Sequence, residues 1–405
     1  MADKFLMKKT RIRVIGIGGG GGSIVSELAK RVKKANFLAA NTDEQALKKT
    51  PKNVYNFQFG KELTDGLGTG MDPKIGEVAA QKEKQRIRRI IKDRDFCIFV
   101  ASLGGGTGSG SAPVFAEVAK ESKCITLGIF TLPFKFEGER KMRTARKALA
   151  KLRPNLDGIL VINNQKIFKI IDKKTSLDKS FSTLNSILAE NIENLIELIY
   201  RPGLINIDFA DFKSILGGKG EKVYFSSAEA KGVNRAEEAV KKVLNSPIID
   251  FNIKSGKKIL FNIAGSENLK MAEVEKICKS FADLNKRSKI VFGVSSNPPS
   301  KKNSIRVTLL VVGDEGKKKA VKFKKPKEVE KVLEEKVEEK KVKPKKKKPK
   351  KKKKRKKKRL TAIDVKNAVK EEEEKRLAEE EKWDVPAFLR RSPWKEKAKK
   401  SSKKK

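Results

Sequence analysis

Two glycine-rich clusters, each set between an apolar run and a helical pattern, constrain the fold more than any other feature of the sequence. The first, at 16–23, follows the apolar run at 11–17, and the second, GGGTGSG at 104–110, follows the run at 96–101. Parallel α/β sheets bring the turns that follow their strands to one edge, so the two loops converge on one crevice. Glycine allows close approach of the backbone, and a helix N-terminus offers free N–H groups and a positive dipole end. The pattern therefore predicts an anion-binding crevice.

Apolar runs of strand length alternate with amphipathic helical patterns up to residue 312, which is typical of an α/β fold with a largely parallel sheet. In the doubly wound first half, strands are predicted at 11–17, 37–41, 96–101, 125–130 and 158–162, with helices at 24–32 and 112–121. Apolar residues at three- and four-residue steps predict a long helix at 179–200, which Arg201-Pro202-Gly203 ends. In a second unit, strands are predicted at 222–226, 258–264, 289–295 and 304–312, and helices at 235–244 and 270–284.

The glycine clusters alone do not decide which kind of nucleotide site the chain forms. A P-loop is excluded, because neither cluster carries the lysine of GxxxxGK(S/T). The spacing of Gly16, Gly18 and Gly21 fits a dinucleotide fingerprint, with Asp43 at about the right distance for a ribose contact. An oxidoreductase is therefore one hypothesis, although it leaves GGGTGSG and the segment NIDFAD at 206–211 unexplained. A third flexible loop, at 66–73, contributes Gly70.

Composition narrows the chemistry. The sequence contains no histidine, which removes Ser-His-Asp and Cys-His nucleophilic sites and His-based metal cages. Its three cysteines are far apart and are predicted to be reduced, buried thiols. No apolar run approaches the roughly 20 residues of a membrane span, and the first residues do not resemble a signal peptide. We therefore expect a cytosolic protein.

The net charge of +46 is concentrated toward the C-terminus. From Lys317 onward the chain has 40 Lys and Arg against 16 Asp and Glu, a net charge of +24. Such a segment cannot bury enough apolar surface to offset its ordering entropy, so a disordered basic tail is predicted. It is interpreted as a solvated spacer by default, as a contact for anionic membrane next, or as a nonspecific nucleic-acid contact.

A short docking peptide lies in this tail. Apolar and aromatic residues surround a proline in a charged segment, which is typical of peptides that fold against a partner groove. Its partner-binding residues are Trp383, Asp384, Val385, Pro386, Phe388, Leu389 and Arg390.

The second glycine cluster and the order of the other motifs resemble the tubulin/FtsZ family of GTPases across residues 8–314. The resemblance implies GTP or GDP as ligand, with a Rossmann-like GTP-binding domain joined by a long central helix to a smaller α/β domain. Ser23 stands where the family more often has Asn, and Lys141 where it usually has Arg. The resemblance implies nucleotide contacts from a set of residues in the glycine loops and the loops around them. They are Gly18, Gly19, Gly20, Gly21, Gly22, Ser23, Asp43, Gly70, Gly104, Gly105, Gly106, Thr107, Gly108, Glu137, Lys141, Asn164, Phe181 and Asn185. Within that set, Glu137 matches the ribose contact, and Asn164, Phe181 and Asn185 match the guanine side. On pattern alone, Phe181 fits a core anchor of the long helix equally well.

The segment NIDFAD supplies the predicted catalytic carboxylates, Asp208 and Asp211. Three residues apart, they share one face at the start of a helix and can orient a water and Mg²⁺. On the residue pattern alone, helix capping is the more common role for an Asp at this position. The resemblance implies instead that this loop enters the nucleotide site of a neighbouring subunit, so that hydrolysis requires head-to-tail contact and the chain forms a homopolymer.

The resemblance also implies an organisation and a setting. The predicted parts are a GTP-binding domain at 1–178, a central helix at 179–203, a second α/β domain at 204–316, a charged linker at 317–382, the docking peptide at 383–391 and a basic extension at 392–405. The peptide is similar to one that binds membrane tethers of the FtsA/ZipA kind. The implied location is cytoplasmic, at the mid-cell division site beneath the inner membrane. A nucleic-acid-associated structural protein remains a third hypothesis on charge alone, but the body lacks an aromatic RNA-binding signature.

Overall fold

The fold was analysed in a computed structural model that describes residues 10–172, 174–200, 203–218, 220–246, 251–265, 269–295 and 303–313. The predictions for the basic tail, including the docking peptide at 383–391, lie outside the described residues. Among the helices that the structure describes, none combines the length and hydrophobicity that a bilayer span requires.

Ten strands form one sheet. They are β1 (Ile12–Ile17), β2 (Asn36–Asn41), β3 (Val54–Gln58), β4 (Phe96–Ser102), β5 (Ile125–Leu132), β6 (Gly158–Asn163), β7 (Glu221–Lys231), β8 (Lys258–Gly265), β9 (Lys289–Ser295) and β10 (Ser304–Gly313). Their order across the sheet is β3-β2-β1-β4-β5-β6-β7-β10-β8-β9. The pairs from β3 to β6 are all parallel, which confirms the predicted parallel α/β sheet. Buried strands with helices on both faces produce the near-continuous apolar runs seen in the sequence.

The helices are α1 (Gly18–Arg31), α2 (Glu44–Lys48), α3 (Lys61–Thr64), α4 (Pro73–Lys82), α5 (Lys84–Ile91), α6 (Gly106–Glu121), α7 (Glu139–Leu152), α8 (Leu177–Tyr200), α9 (Phe209–Leu216), α10 (Arg235–Leu244) and α11 (Met271–Ala282). Two of them begin earlier than predicted, since α1 and α6 begin within the glycine clusters. Glycine has a low intrinsic helix propensity, so the sequence pattern placed these residues in loops. Packing against the sheet overrides that preference.

The second half of the sheet is mixed rather than parallel. Strand β10 pairs antiparallel with both β7 and β8, and β8 pairs parallel with β9. The two halves join through a short parallel pairing of β6 with β7, in which Gly158 opposes Glu221 and Ile159 opposes Lys222. The main chain thus forms one continuous sheet across both predicted domains.

Helix α8 runs along the first half of the sheet, from the end of the parallel strands to their start. Its apolar positions Leu184, Leu188, Ile192 and Leu195 are buried, as their spacing predicted. At its end, the Tyr200 hydroxyl donates to the Thr10 carbonyl, beside the start of β1. Because α8 follows β6 and ends at the start of β1, it connects the edge where the parallel strands end with the edge where they begin.

The cysteines largely follow prediction. Cys97 and Cys124 are buried free thiols, whereas Cys278 is half-buried. A hydrogen bond with Cys124, together with burial, holds the pKa of the Cys97 thiol well above its usual range. Inert structural thiols are the expected consequence.

Candidate functional site

A cavity of about 430 Å³ opens at the edge where the parallel strands end. The loops that follow β1, β4, β5 and β6 converge there, and the first turns of α8 close one side. Most of the predicted nucleotide-binding residues line it: Gly18, Gly19, Gly20, Ser23, Gly104, Gly105, Gly106, Thr107, Gly108, Glu137, Lys141, Asn164, Phe181 and Asn185. The predicted crevice between the two glycine loops is therefore present.

The first glycine loop is held tightly against the end of β4. A Cβ on Gly20 would lie 2.2 Å from the Ser102 Oγ atom, and one on Gly21 would lie 2.3 Å from the Val100 carbonyl oxygen. Gly19 differs, because a Cβ there would meet no atom within 4 Å. Gly20 and Gly21 thus permit close packing of α1 on the sheet, while Gly19 faces open space at the helix N-terminus, where an anion is stabilised.

A buried chain of hydroxyl groups ties the second glycine loop to its neighbours. The Thr107 Oγ1 atom lies 2.8 Å from Thr42 Oγ1 and 3.4 Å from Thr69 Oγ1. Thr42 directly follows β2 and is fully buried, and Thr69 belongs to the third flexible loop. A Cβ on Gly106 would lie 2.1 Å from Thr69 Oγ1, so that loop packs directly on the start of α6. Three loops are thereby fixed around Thr107.

After β5, the side chains of Glu137 and Lys141 form an ion pair with each other. The Lys141 Nζ atom donates to Glu137 Oε2 at 2.9 Å, while Glu137 Oε1 accepts from the Phe134 amide at 2.8 Å. Both side chains line the cavity. The single ammonium of Lys141 therefore anchors Glu137 without the planar fork that an arginine would supply.

The wall near α8 fits a nucleobase. Asn164 is buried, and its Oδ1 atom has no hydrogen-bond partner among the described residues. A buried acceptor of this kind requires a donor, which the ring and amino N–H groups of guanine would supply. Phe181 is 38% exposed, and its ring meets that of Phe134 edge to face at 5.5 Å between centroids. Phe181 therefore lines the cavity instead of anchoring the core.

Four of the predicted nucleotide-binding residues do not line this cavity. Gly21 packs against the Val100 carbonyl, and Gly70 stands between two residues that do line the cavity, Thr69 and Met71. Gly22 and Asp43 line an adjacent cavity of about 480 Å³. There Asp43 caps α2, its Oδ1 accepting from the Ala46 amide at 3.1 Å.

Several lining residues were missed by the sequence reasoning. Besides Thr69 and Met71, the cavity is lined by Ser102 and Thr131, whose hydroxyl groups are 3.0 Å apart. Ser102 is the last residue of β4, and Thr131 is the last residue but one of β5. Their position at strand ends beside a glycine cluster was the available signal.

The predicted catalytic carboxylates lie at the other end of α8. Asp208 caps α9, its Oδ1 accepting from the Asp211 amide at 2.6 Å. The next turn of α9 packs against the start of β4, where the rings of Phe212 and Phe96 are 5.1 Å apart. Neither carboxylate lines the glycine-loop cavity. Within the described part of the chain, no group of three or more Asp, Glu or Cys side chains is placed to hold a metal ion.

Comparisons with known proteins agree with this geometry. The GTPase domain of the tubulin/FtsZ family matches residues 11–172, and the C-terminal domain of the FtsZ family matches residues 223–315. The cell division protein FtsZ of Buchnera aphidicola (subsp. Schizaphis graminum) is 34% identical over 389 residues, covering 94% of this chain and 96% of that protein. FtsZ of Coxiella burnetii is 36% identical over 311 residues, covering 76% of this chain and 79% of that protein.

A solved structure extends the similarity to the fold. The FtsZ dimer of M. jannaschii superposes with a TM-score of 0.69 at 35% identity, covering 76% of this chain and 89% of that one. The family matches span both halves of the sheet, and the first of them includes both glycine loops. The chain therefore belongs to the FtsZ family of tubulin-like cell-division GTPases.

Proposed function

We propose that this FtsZ-family GTPase polymerises head to tail and hydrolyses GTP at each contact between subunits, as the filament of a division ring at the bacterial septum. The observation that carries the proposal is the separation of the nucleotide cavity from Asp208 and Asp211 by the length of α8 in one chain. Neither half is a complete hydrolytic site. A head-to-tail contact would join the cavity of one subunit to the carboxylates of the next, and such a heterologous contact builds a filament.

In the proposed mechanism, the cavity binds and orients the nucleotide. Backbone amides at the starts of α1 and α6 hold the phosphates, and the buried Asn164 oxygen accepts from guanine. Mg²⁺ would neutralise phosphate charge when bound. Because Glu137 is the one carboxylate among the described residues that line the cavity, phosphate oxygens and water would be the ion's main ligands, with the hydroxyl of Thr107 nearby.

The neighbouring subunit supplies the groups that act on water. Asp208 and Asp211 would orient one water molecule toward the γ-phosphorus and accept its proton. The water oxygen forms the new bond to phosphorus as the bond from phosphorus to the β–γ bridging oxygen breaks, releasing inorganic phosphate and GDP. Both carboxylates are on a capped helix end, so their spacing is fixed before the contact forms.

The tail would attach the filaments to the membrane. The peptide at 383–391 would bind membrane tethers of the FtsA/ZipA kind, holding filaments in the cytoplasm at mid-cell beneath the inner membrane. The lysine-rich residues before and after it would add contact with anionic lipid.

The proposal is tested by measuring phosphate release from GTP and from ATP across a range of concentrations of the full chain. We expect hydrolysis of GTP alone, with a rate per molecule that rises steeply above a threshold concentration. A rate per molecule that is independent of concentration would contradict the shared site, and equal use of ATP would contradict the role of Asn164.

Thr42 provides a second prediction, because it is buried outside the cavity and is hydrogen-bonded to Thr107, which lines it. Replacing it with valine keeps the shape and removes the buried hydroxyl bonded to Thr107. A lost hydrogen bond is worth about 1 kcal/mol, so we expect the affinity for GTP to fall about 5-fold. Titration with a fluorescent GTP analogue measures this.

The matched control is Thr42→Ser, which retains the hydroxyl and should restore most of the affinity. Equal affinities for the valine and serine variants would show that the hydroxyl does not position the loop.

A further inference from the structure

A hydrogen bond of Gln165 joins two loops of the nucleotide cavity. Its Oε1 atom accepts from the Lys135 amide at 3.1 Å, so the loop that follows β6 is tied to the loop that follows β5. The first of these loops carries Asn164, the proposed contact for guanine, and the second carries Glu137, the predicted contact for ribose. Gln165 is not among the residues that line the cavity. It therefore lies behind the site, between two groups that would touch the same nucleotide.

Asn164 and Gln165 belong to one short helical turn. They begin the 3₁₀ helix at Asn164–Lys169, which Asn163 caps by accepting from the Gln165 amide at 3.0 Å. Asn164 is buried, whereas Gln165 is half-buried. Consecutive residues on a capped turn keep a fixed spacing, so the hydrogen bond sets the position of the Lys135 amide relative to the guanine contact.

The orientation of Glu137 depends on the backbone that Gln165 holds. A single 3₁₀ turn begins at Lys135 and ends at Glu137. Within this loop, Glu137 Oε1 accepts from the Phe134 amide at 2.8 Å, and Oε2 accepts from Lys141 at 2.9 Å. An ionised carboxylate has about four acceptor sites, so both oxygens can still accept from ribose hydroxyl groups. The direction in which they do so is set by the turn.

Aromatic packing holds the same turn in place without fixing its rotation. The buried Phe134 ring meets the Phe181 ring at 5.5 Å and the Phe168 ring at 5.8 Å between centroids. Aromatic pairs are attractive over a range of distances and angles, whereas a hydrogen bond weakens steeply as its angle closes. The contact with Gln165 therefore supplies the directional restraint that the rings lack.

Stability alone does not account for this contact. The hydrogen bond is exposed, so water can take the place of either partner, and the net contribution to the stability of the fold is small. Water cannot replace the fixed spacing between the two loops, because it would satisfy the Lys135 amide in any position of the turn.

We propose that Gln165 is a positioning residue that fixes Glu137 relative to Asn164, so that the cavity recognises guanine and ribose together. The inference rests on the proposed nucleotide contacts of Asn164 and Glu137 and adds the group that couples them. Its consequence is selectivity for the sugar. A displaced Glu137 would no longer distinguish GTP from a nucleotide that lacks the ribose hydroxyl groups.

The test compares the affinities of Gln165→Met and Gln165→Glu chains for GTP and for 2′,3′-dideoxy-GTP, which lacks both hydroxyl groups. Methionine keeps the length of the side chain but has only a weak sulfur acceptor, whereas glutamate keeps the oxygen acceptor. Displacement of a fluorescent GTP analogue measures both affinities below the concentration at which the chain assembles. Both ligands carry the same triphosphate, so the ratio of their affinities cancels the charge that glutamate adds. The matched control is Gln81→Met, at an exposed position on α4.

We expect the unmodified chain to prefer GTP. Gln165→Met should lose about 5-fold in affinity for GTP, while its affinity for dideoxy-GTP stays within about 2-fold of the unmodified value. Gln165→Glu and the control should keep the unmodified ratio. In a chain that already carries Glu137→Gln, adding Gln165→Met should not change the ratio further, because Gln165 acts through Glu137.

Equal losses of affinity for both nucleotides in Gln165→Met, or no loss for either, would assign the residue a structural role and overturn the inference. If the unmodified chain binds both nucleotides equally, the ribose contact of Glu137 is wrong and the inference is wrong with it. None of these results bears on head-to-tail hydrolysis, which the concentration dependence of phosphate release tests separately.

Discussion

Replacing both Asp208 and Asp211 with asparagine should leave GTP binding intact and slow GTP hydrolysis by at least about 100-fold. Asparagine caps a helix as well as aspartate does, so the amide of residue 211 keeps its partner and α9 keeps its start. The substitution removes only the negative charge and the capacity to accept a proton. Phosphate release and nucleotide titration on the same preparation measure the two effects separately.

The control on the same helix is Ser214→Ala, which removes an exposed hydroxyl and should hydrolyse GTP at close to the normal rate. Normal hydrolysis by the double asparagine variant would remove the carboxylates from the mechanism.

Replacing Gly19 with glutamate should abolish nucleotide binding, with a loss of affinity of at least about 100-fold. A side chain at this position meets no protein atom within 4 Å, so its carboxylate can occupy the space at the start of α1 where phosphates are expected. Two like charges about 4 Å apart repel by about 4 kcal/mol at an effective dielectric of about 20. Binding is measured by titration with fluorescent GTP and folding by thermal unfolding.

Gly19→Ala is the matched control, because it adds a methyl group without charge and should bind GTP nearly normally. If the glutamate variant binds GTP as tightly as the alanine variant, Gly19 does not face the phosphates.

Mixing these two defective chains separates a shared site from a self-contained one. The Gly19→Glu chain has intact carboxylates, and the Asp208→Asn, Asp211→Asn chain has an intact cavity. In an equimolar mixture about one head-to-tail contact in four would join an intact cavity to intact carboxylates, if partners pair at random. Hydrolysis should therefore recover to at most about a quarter of the normal rate, whereas a self-contained site would show no recovery.

The central features of the fold follow from the sequence because several local signals agree. A buried parallel strand is a short apolar run, and a glycine cluster directly after it marks the edge where ligands bind. The strands β1, β2, β4, β5 and β6 and the convergence of both glycine loops could be predicted in this way. The long helix followed from its three- and four-residue apolar spacing.

Other elements were missed because their signals depend on tertiary context. Strand β3 is an edge strand with two exposed residues, Tyr55 and Asn56, so its apolar run is interrupted. Helices α1 and α6 begin within glycine clusters, which helix propensity assigns to loops. In the site, the contact between Thr42 and Thr107 joins residues 65 positions apart, and no local pattern reports such a pair. The mixed order of the second half of the sheet is likewise set by long-range pairing.

The length of α8 also sets a distance scale for any polymer of this chain. Its 24 residues span about 36 Å, with nucleotide-cavity residues on its first turns and the carboxylate loop beyond its last. If the two ends meet between subunits, the polymer cannot repeat at a spacing much shorter than this rod. Each inserted or deleted residue would change the spacing by about 1.5 Å and turn the following loop by about 100° around the helix axis. An insertion or deletion in α8 would therefore keep the orientation of the carboxylate loop only if it adds or removes whole helical turns, whichever side chains the helix carries.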